Sequence, residues 1–155
     1  MKLKVLIQAE AIDLDKEHRL LQDSDGSVGA IATFYGTVRD SNENRRVQSI
    51  FIEHYSGMTE TELTKILKEA KERWRISAAT IIHRIGKLAV GEGIVFVGTA
   101  SSHRKDAFQS CDFIMDYLKT NAPLWKKERH DRGEDWVSSK ESDQIFARSW
   151  KKGGD

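Results

Sequence analysis

Cationic side chains stand at both ends of one amphipathic segment in the C-terminal half of the chain. His103 and Arg104 follow two serines where a helix should begin, and Lys119 lies where that helix should end. The N–H groups at a helix start lack intrahelical partners and, with the positive end of the helix dipole, favour an anion. Two cations there would repel the dipole unless a negative group sits among them. The pattern indicates an anion site, and solvation or pairing with Asp106 explains it equally well.

A second cationic group follows the single proline of the chain. Lys126 and Lys127 stand next to Trp125, just beyond Pro123. A lysine that is partly removed from water beside an aromatic ring, with other lysines nearby, has its neutral form favoured and can act as a base or a nucleophile. Lys126 is therefore a candidate catalytic residue, whereas Lys119 taken alone is most simply a partner of the helix dipole.

Arg39 lies where a strand rich in β-branched and aromatic residues meets a polar loop. Its planar guanidinium suits phosphate or carboxylate, and Gly36 would let a ligand approach the backbone. In isolation, a solvated arginine at a strand end is the simpler explanation. His54 and His83 fall on predicted strands, where a hydrogen-bonded structural role is the simpler interpretation. No spacing of Cys and His residues resembles a metal site and no nucleotide-binding glycine motif occurs, so no cofactor is expected.

The two ends of the predicted helix are too far apart to hold one small molecule. About sixteen residues separate His103 from Lys119, which corresponds to roughly 24 Å along a helix axis. A two-fold dimer could bring His103 and Arg104 of one subunit toward Lys119 and Lys126 of the other. The spacing therefore raises the hypothesis of a homodimer with shared sites.

A set of predicted strands and helices must position these residues. Alternating apolar residues and glycine-bounded β-branched runs predict the strands, and apolar residues at helical spacing predict the helices. Strands outnumber helices and no βαβ alternation occurs, so the predicted fold is α+β with a largely antiparallel sheet. The predicted strands cover 2–8, 28–38, 47–55, 79–85 and 94–100, with extended pieces at 125–129 and 136–137, and the predicted helices cover 13–21, 59–75, 102–122 and 141–150.

Local signals also predict how some of these elements begin and join. The strands on either side of the polar stretch 40–46 should form a hairpin with a mobile tip. Thr59 and Glu62 form a capping-box pattern, and Ser102 is placed to cap the following helix. Three glycines in 86–93 suit a turn or bulge between two strands.

The composition excludes several classes of protein. The chain has 155 residues, with 25 basic against 24 acidic ones, so it lacks the strongly basic character of a general nucleic-acid binder. The single cysteine, Cys111, excludes an internal disulfide and agrees with a reducing compartment. No apolar run approaches membrane-spanning length. We expect one domain over 1–150, a flexible tail at 151–155, and a cytoplasmic protein with no nucleic-acid or membrane partner.

Four segments together resemble the large, catalytic subunit of molybdopterin synthase. They are 29–39, which ends in Gly-Thr-Val-Arg, 53–60, which reads Glu-His-Tyr-Ser-Gly-Met-Thr-Glu, 82–104, which ends in Ser-Ser-His-Arg, and 115–128, which reads Met-Asp-Tyr-Leu-Lys-Thr-Asn-Ala-Pro-Leu-Trp-Lys-Lys-Glu. The resemblance extends over 28–150. It implies an α/β hammerhead fold with additional strands and a sulfurtransferase of molybdenum cofactor biosynthesis.

Such enzymes convert cyclic pyranopterin monophosphate to molybdopterin, with sulfur from the thiocarboxylated C-terminal Gly-Gly of a small ubiquitin-like carrier subunit. The implied assembly is a homodimer of large subunits within a heterotetramer. The resemblance makes Lys119 and Lys126 catalytic and suggests a docking surface for the carrier around Trp136, Ile145 and Phe146. It implies substrate contacts from Thr37, Val38, Arg39, His103, Arg104, Lys119, Lys126, Lys127 and Glu128, with Phe34 and Met115 lining the pocket.

The alternative is a non-catalytic module that binds RNA or another anionic ligand. It would use His103, Arg104 and the segment 125–127 as a platform for stacking and phosphate contacts. The near-neutral net charge and the absence of common RNA-binding signatures argue against it. A third interpretation is a structural dimer partner whose catalytic member lies elsewhere.

Overall fold

A computed structural model describes residues 2–22, 25–137 and 141–152. Within these residues the chain forms two sheets and four helices. In chain order the elements are β1 (Lys2–Gln8), α1 (Leu14–Gln22), β2 (Ala30–Thr37), β3 (Ser41–Asn42), β4 (Arg45–His54), α2 (Met58–Arg73), β5 (Ile76–Arg84), β6 (Gly86–Ala89), β7 (Gly93–Ser101), α3 (Arg104–Asn121), β8 (Leu124–His130), β9 (Gly133–Val137) and α4 (Glu141–Lys152).

The first sheet has the strand order β1-β5-β7-β2 and is covered by helices on both faces. Residues on one face of its strands, such as Ile81 and Val97, join the core beneath α2 and α3. Residues on the other face, such as Ile82 and Phe96, pack with Leu21 of α1. This double coverage explains why every residue of β7 is buried and why its sequence is an almost unbroken apolar run.

The predicted α+β class is confirmed, and the strand pairing is largely antiparallel. In the described part of the chain, β1 and β5 form the one parallel pair, with Leu3 opposite Ala79. The second sheet has the order β3-β4-β8-β9, with β6 also paired to β4. Among the described residues, no helix is both long and apolar enough to cross a membrane.

The predicted hairpin across the stretch 40–46 is wrong. β2 pairs with β7 in the first sheet, whereas β4 pairs with β8 and β6 in the second. The polar stretch instead turns tightly at Glu43 and Asn44, whose φ angles are 50° and 63°, and so pairs β3 with the start of β4. Two consecutive residues with positive φ are what a two-residue hairpin turn of type I′ requires. The chain therefore changes sheets here.

The glycine-rich stretch between β5 and β7 is more than a turn. Its first half is the strand β6, in which Leu88 is buried and lies opposite Ile50 of β4. The predicted turn is confined to its second half, where Gly91 has a φ of 89°. This strand ties the end of the first sheet to the second.

Helix α2 begins earlier than the capping-box pattern predicts. Its N-cap is Gly57, whose N–H donates to the Glu60 carboxylate at 2.7 Å. Thr59 lies inside the first turn, where it is buried, and its hydroxyl donates to the carbonyl of Tyr55 at 3.0 Å. The cap predicted at Thr59 is therefore wrong by two residues.

Helix α3 carries the predicted apolar stripe. The stripe residues Ala107, Cys111, Ile114 and Leu118 are all buried. Burial raises the pKa of the Cys111 thiol to about 12, as expected for a cysteine that serves as a core residue.

The far end of α4 is fixed by an aromatic cluster. The ring of Trp150 lies 5.5 Å from that of Trp74 and 5.7 Å from that of Phe113, between centroids. Its indole N–H donates to the Asp116 carboxylate at 2.6 Å. α4 is thereby held against α3, which determines where the first turn of α4 lies.

Candidate functional site

A cavity of about 560 Å³ opens where the two sheets, the end of α3 and the start of α4 meet. Several residues predicted from distant parts of the sequence converge there. The end of β2 and the following loop, the last turns of α3, and β8 supply most of them. The predicted residues that line this cavity, named the cationic cavity below, are Phe34, Thr37, Val38, Arg39, Lys119, Lys126 and Glu128.

The pleat of β8 decides which of its side chains reach the cavity. Lys126 lies opposite Ile52 of β4, and Glu128 lies opposite Ile50, which also lines the cavity. Residues at alternate positions of a strand point to the same face. Lys127, between them, therefore points to the other face of the sheet.

Backbone hydrogen bonds hold the end of β2 at the cavity. The N–H of Val38 donates to the carbonyl of Glu92 at 2.9 Å, and its carbonyl accepts from the N–H of Gly91 at 2.8 Å. Val38 is buried, and Arg39 follows it at the cavity wall. The predicted strand end is thus anchored to the turn before β7.

Lys126 is half-buried, and its surroundings favour the neutral amine. Burial is the largest cause that lowers its pKa, to about 8, and the neighbouring charge of Lys119 is the next. Arg39 acts in the same direction, and the Asp143 carboxylate opposes it. Lys126 is therefore a lysine that can exchange a proton near neutral pH.

The sequence argument gave the right direction for Lys126, and removal from water and a neighbouring lysine are indeed its causes, but the aromatic neighbour is not the source of the burial. The ring of Trp125 lies on the opposite face of β8, where it is exposed and packs near Tyr55, with centroids 6.4 Å apart. The loss of water around Lys126 comes from the cavity wall. The neighbouring indole does not produce it.

His83 is a buried, uncharged residue in the wall of the cavity. Its Nδ1 lies 2.8 Å from the carbonyl oxygen of Arg84, so in the neutral ring Nδ1 carries the proton and donates it. Burial lowers the pKa of His83 to about 4, the hydrogen bond to Arg84 opposes this, and the charges of Lys126 and Lys119 lower the pKa further. The structural role predicted for His83 fits this geometry, and its position on the cavity wall was not predicted.

Glu128 is the buried acid of β8. One of its carboxylate oxygens accepts a hydrogen bond from the side-chain amide of Asn42 at 2.9 Å. Asn42 belongs to β3, so the tight turn described above also contributes to the wall of the cavity.

His103 and Arg104 are not part of the same cavity within one subunit. They are exposed at the first turn of α3, and Lys119 lies at its last. The cap predicted at Ser102 is wrong, because its hydroxyl donates to the carbonyl of Ser27 at 3.0 Å. Asp106, their alternative partner, accepts from the backbone N–H of Arg75 at 3.3 Å.

Close backbone packing fixes the start of α3. The N–H of Gly29 donates to the carbonyl of Ser101 at 2.9 Å. A Cβ at Gly29 would lie 2.3 Å from the carbonyl oxygen of Ser102, so only glycine fits at this position. The exposed pair His103 and Arg104 is therefore held in a defined place at the start of α3.

Two further predicted residues lie outside the cationic cavity. Lys127 faces a separate groove, where its ammonium lies 3.1 Å from the Glu134 carboxylate and 5.6 Å from the centre of the Trp136 ring. Met115 is buried in the core and does not line the cavity. Lys127 lies outside the cavity because the strand pleat turns it to the other face of β8. Met115 lies outside it because it is on the side of α3 that faces the core.

The cavity residues that were not predicted as site residues include His83, Asn42 and Asp143. Asp143 lies in the first turn of α4, where an acidic residue is an ordinary partner of the helix dipole. Nothing in its local sequence distinguishes it. Only the packing of α4 against α3 shows that it reaches the cavity.

Similarity to known proteins is extensive. The family model described as MoaE protein matches residues 7–121. The molybdopterin synthase catalytic subunit of Pseudomonas aeruginosa strain PAO1 is 47% identical over 150 residues, covering 97% of this chain and 100% of that protein. The molybdopterin biosynthesis MoaE protein from Burkholderia ambifaria MC40-6 superposes with a TM-score of 0.81 at 45% identity, covering 97% of this chain and 99% of that one.

A more distant structure has the same fold. Molybdopterin synthase from Staphylococcus aureus superposes with a TM-score of 0.80 at 29% identity, covering 86% of this chain and 96% of that one. Fold and cavity together define an α+β enzyme subunit with a cationic ligand cavity. The chain belongs to the MoaE family of molybdopterin synthase catalytic subunits, in molybdenum cofactor biosynthesis. The resemblance inferred from the sequence is confirmed.

Proposed function

We propose that this chain converts cyclic pyranopterin monophosphate to molybdopterin, with sulfur from the C-terminal thiocarboxylate of a small ubiquitin-like carrier. The observation that carries the proposal is the half-buried Lys126, whose pKa of about 8 lies close to neutral pH, in a cavity that it shares with Lys119 and Arg39. The relatives named above are described as molybdopterin synthase catalytic subunits, which supports the same reaction.

The charge of the cavity fits two anionic reactants. A phosphorylated pterin and a thiocarboxylate repel each other in solution, and fixed cations in a confined space reduce that repulsion. Arg39 presents a planar fork that suits a phosphate or a carboxylate. Thr37 and Val38 lie on the same wall, and Phe34 offers an aromatic ring to a heterocycle. A volume of about 560 Å³ is within the range of small-molecule sites.

The two lysines are the proposed catalytic residues. In its neutral form, Lys126 can accept a proton. Alternatively, its amine can lose a proton and form an amide with the carbonyl carbon of the thiocarboxylate while the C–S bond breaks and the sulfur passes to the pterin; water then cleaves the amide and returns the carrier as its carboxylate. Lys119 supplies a positive charge beside it, where negative charge develops on sulfur or oxygen. Glu128, hydrogen-bonded to Asn42, completes the polar wall below them.

The exposed pair His103 and Arg104 supports a shared site in a homodimer. The pair stands at the start of the 18-residue helix α3 and Lys119 lies in its last turn, so one small ligand cannot touch both ends of one α3. We propose that a second subunit brings its His103 and Arg104 to the open side of the cationic cavity, within a heterotetramer that includes two carriers. The described structure of one chain agrees with this arrangement in leaving both residues accessible.

A mixing experiment tests the shared site. An inactive His103→Ala variant and an inactive Lys119→Ala variant are combined, so that mixed dimers contain one intact cavity. We expect partial recovery of turnover in the mixture and none in either variant alone. Mixed dimers that form and remain inactive would remove His103 from the partner's site.

The carrier requires a docking surface near the cavity. Trp136, Ile145 and Phe146 are exposed apolar residues on β9 and α4, with exposed fractions of 55%, 52% and 56%. Val137, next to Trp136, lines the cavity, so a carrier bound here could direct its tail inward.

We further propose that residues 1–150 act as one domain in the cytoplasm. The flexible tail predicted at 151–155 begins too early, because α4 extends to Lys152, and residues 153–155 lie outside the described residues.

The reaction itself is tested by incubation of the purified chain with cyclic pyranopterin monophosphate and a thiocarboxylated carrier. The masses of the pterin and of both proteins are then measured. We expect the pterin to gain two sulfurs and the carrier to return to its carboxylate form. A carrier that keeps its sulfur and a pterin of unchanged mass would reject the proposal.

A further inference from the structure

The cationic cavity contains a carboxylate that anion binding does not explain. Asp143, in the first turn of α4, lines the same cavity as Arg39, Lys119 and Lys126. A negative charge in this place weakens the binding of any phosphate or thiocarboxylate. The other acid of the cavity, Glu128, is engaged by the amide of Asn42 at 2.9 Å. The helix dipole accounts for an acid in the first turn of α4, but it does not explain why that acid faces a cavity lined by cations.

Charged groups reach Lys126 from every element packed around it. Cations come from the loop after β2 and from α3, an uncharged imidazole from β5, and carboxylates from β8 and α4. These groups are Arg39, Lys119, His83, Glu128 and Asp143. Burial and the two cations favour loss of the proton from Lys126, and the charge of Asp143 favours its retention.

We infer that Asp143 is a positioning residue that acts through Lys126: its carboxylate offsets part of the positive charge that Arg39 and Lys119 bring to the shared cavity, and so favours the protonated form of the lysine. The inference rests on the proposed function, which makes Lys126 the proton-exchanging group. Without Asp143, burial and the two cations would favour the neutral amine of Lys126 more strongly than they do in the intact cavity. Weaker attraction for the anionic reactants is the cost of this arrangement.

The experiment measures the protonation of Lys126 without turnover. The intact protein is treated with a trace of acetic anhydride at a series of pH values, and acetylation at Lys126 is quantified by peptide mass spectrometry. Only the neutral amine reacts, so the midpoint of the labelling curve reports the proton equilibrium of that one lysine. In Asp143→Asn we expect the midpoint to fall by roughly half a pH unit or more, because an attractive charge has been removed.

Two matched variants separate a local effect from a general one. Asp143→Glu keeps the charge and should keep the midpoint close to that of the unchanged protein. Glu72→Gln removes one negative charge from the exposed surface of α2, outside the cavity, and should have no effect. Thermal unfolding confirms that each variant is folded, and Asp143→Ser gives the same readout if asparagine disturbs the start of α4.

An unchanged midpoint in both Asp143→Asn and Asp143→Ser would overturn the inference. An equal shift in Glu72→Gln would also overturn it, because the effect would then be one of net charge. Turnover with pterin and carrier is measured separately on the same samples. If the unchanged protein shows no turnover, the proposed function fails while the labelling result still decides the effect of Asp143 on Lys126.

Discussion

Lys126 and Lys127 are neighbours in the chain, identical in side chain and opposite in surroundings. Lys126 is half-buried in the cationic cavity, and its pKa is lowered to about 8. Lys127 lies on the other face of β8, where it pairs with Glu134 at 3.1 Å and covers the ring of Trp136. The strand pleat therefore makes one lysine a candidate base and the other a surface cation. Local sequence alone does not separate them.

The largest expected effect comes from truncating the cavity lysines. Lys126→Ala and Lys119→Ala should each lower turnover by about 10²-fold or more, because a proton-transferring group or its neighbouring charge is lost. Lys127→Ala should stay within about threefold, since its contacts are a surface ion pair and a cation–π contact. Product formation is measured by mass spectrometry at saturating carrier.

Carrier binding provides the control for these variants. It should be largely intact in Lys119→Ala, which would separate chemistry from docking. A Lys127→Ala variant as inactive as Lys126→Ala would show that the outer face of β8 takes part in the reaction, as the resemblance implied for Lys127.

The second effect is a pH dependence that belongs to Lys126. If the neutral amine is the active form, turnover rises as pH increases through about 8, and below that value it falls by about tenfold for each pH unit. The Lys127→Ala variant should keep this profile. A rate that is flat across the same range, with folding unchanged, would exclude proton exchange at Lys126 from the rate-limiting step.

The smallest expected effect is on the free energy of unfolding. Replacing Lys126 should raise it, and replacing Lys127 should lower it. The folded state lowers the pKa of Lys126 from 10.5 to about 8, so it disfavours the ammonium that the unfolded chain carries at neutral pH. The resulting destabilisation is fully present below about pH 8 and disappears as pH rises above the unfolded value. Lys126→Met should therefore raise the free energy of unfolding at neutral pH by ~1 kcal/mol.

Lys127→Met serves as the comparison for this measurement. It removes an exposed ion pair and should change stability by less than ~1 kcal/mol, in the destabilising direction. Urea unfolding near neutral and alkaline pH measures both variants. A gain for Lys126→Met that persists unchanged at alkaline pH would trace it to apolar packing and not to the buried charge.

Most strands and helices could be predicted because their signals are local. β1 and the stripe from Ala107 to Leu118 follow directly from apolar periodicity. Strand partners could not be predicted in the same way. β2 leaves its sequence neighbour for β7, and this pairing brings Tyr35 so close to Gly93 that a Cβ there would lie 1.9 Å from the tyrosine hydroxyl. Such contacts depend on residues far apart in the sequence.

Part of the site could be predicted, because some residues suggest a function by their type and their neighbours in the sequence. Three cations were selected because of their sequence neighbours: Arg39 near a glycine, Lys119 at a helix end and Lys126 beside an aromatic residue. All three line the cationic cavity. Asp143 and His83 could not be found, because an acid at a helix start and a histidine on a strand have ordinary local explanations. Their positions in the cavity depend on how α4 and β5 pack.

Helix α3 runs without interruption from Arg104 to Asn121. It therefore fixes the distance and the relative orientation of the cations at its start and the cation Lys119 at its end. One residue inserted at its middle would rotate everything beyond by about 100° and advance it by about 1.5 Å. Lys119 would then swing off the cavity wall while His103 stayed in place. Natural length variation in such chains should therefore avoid the interior of α3.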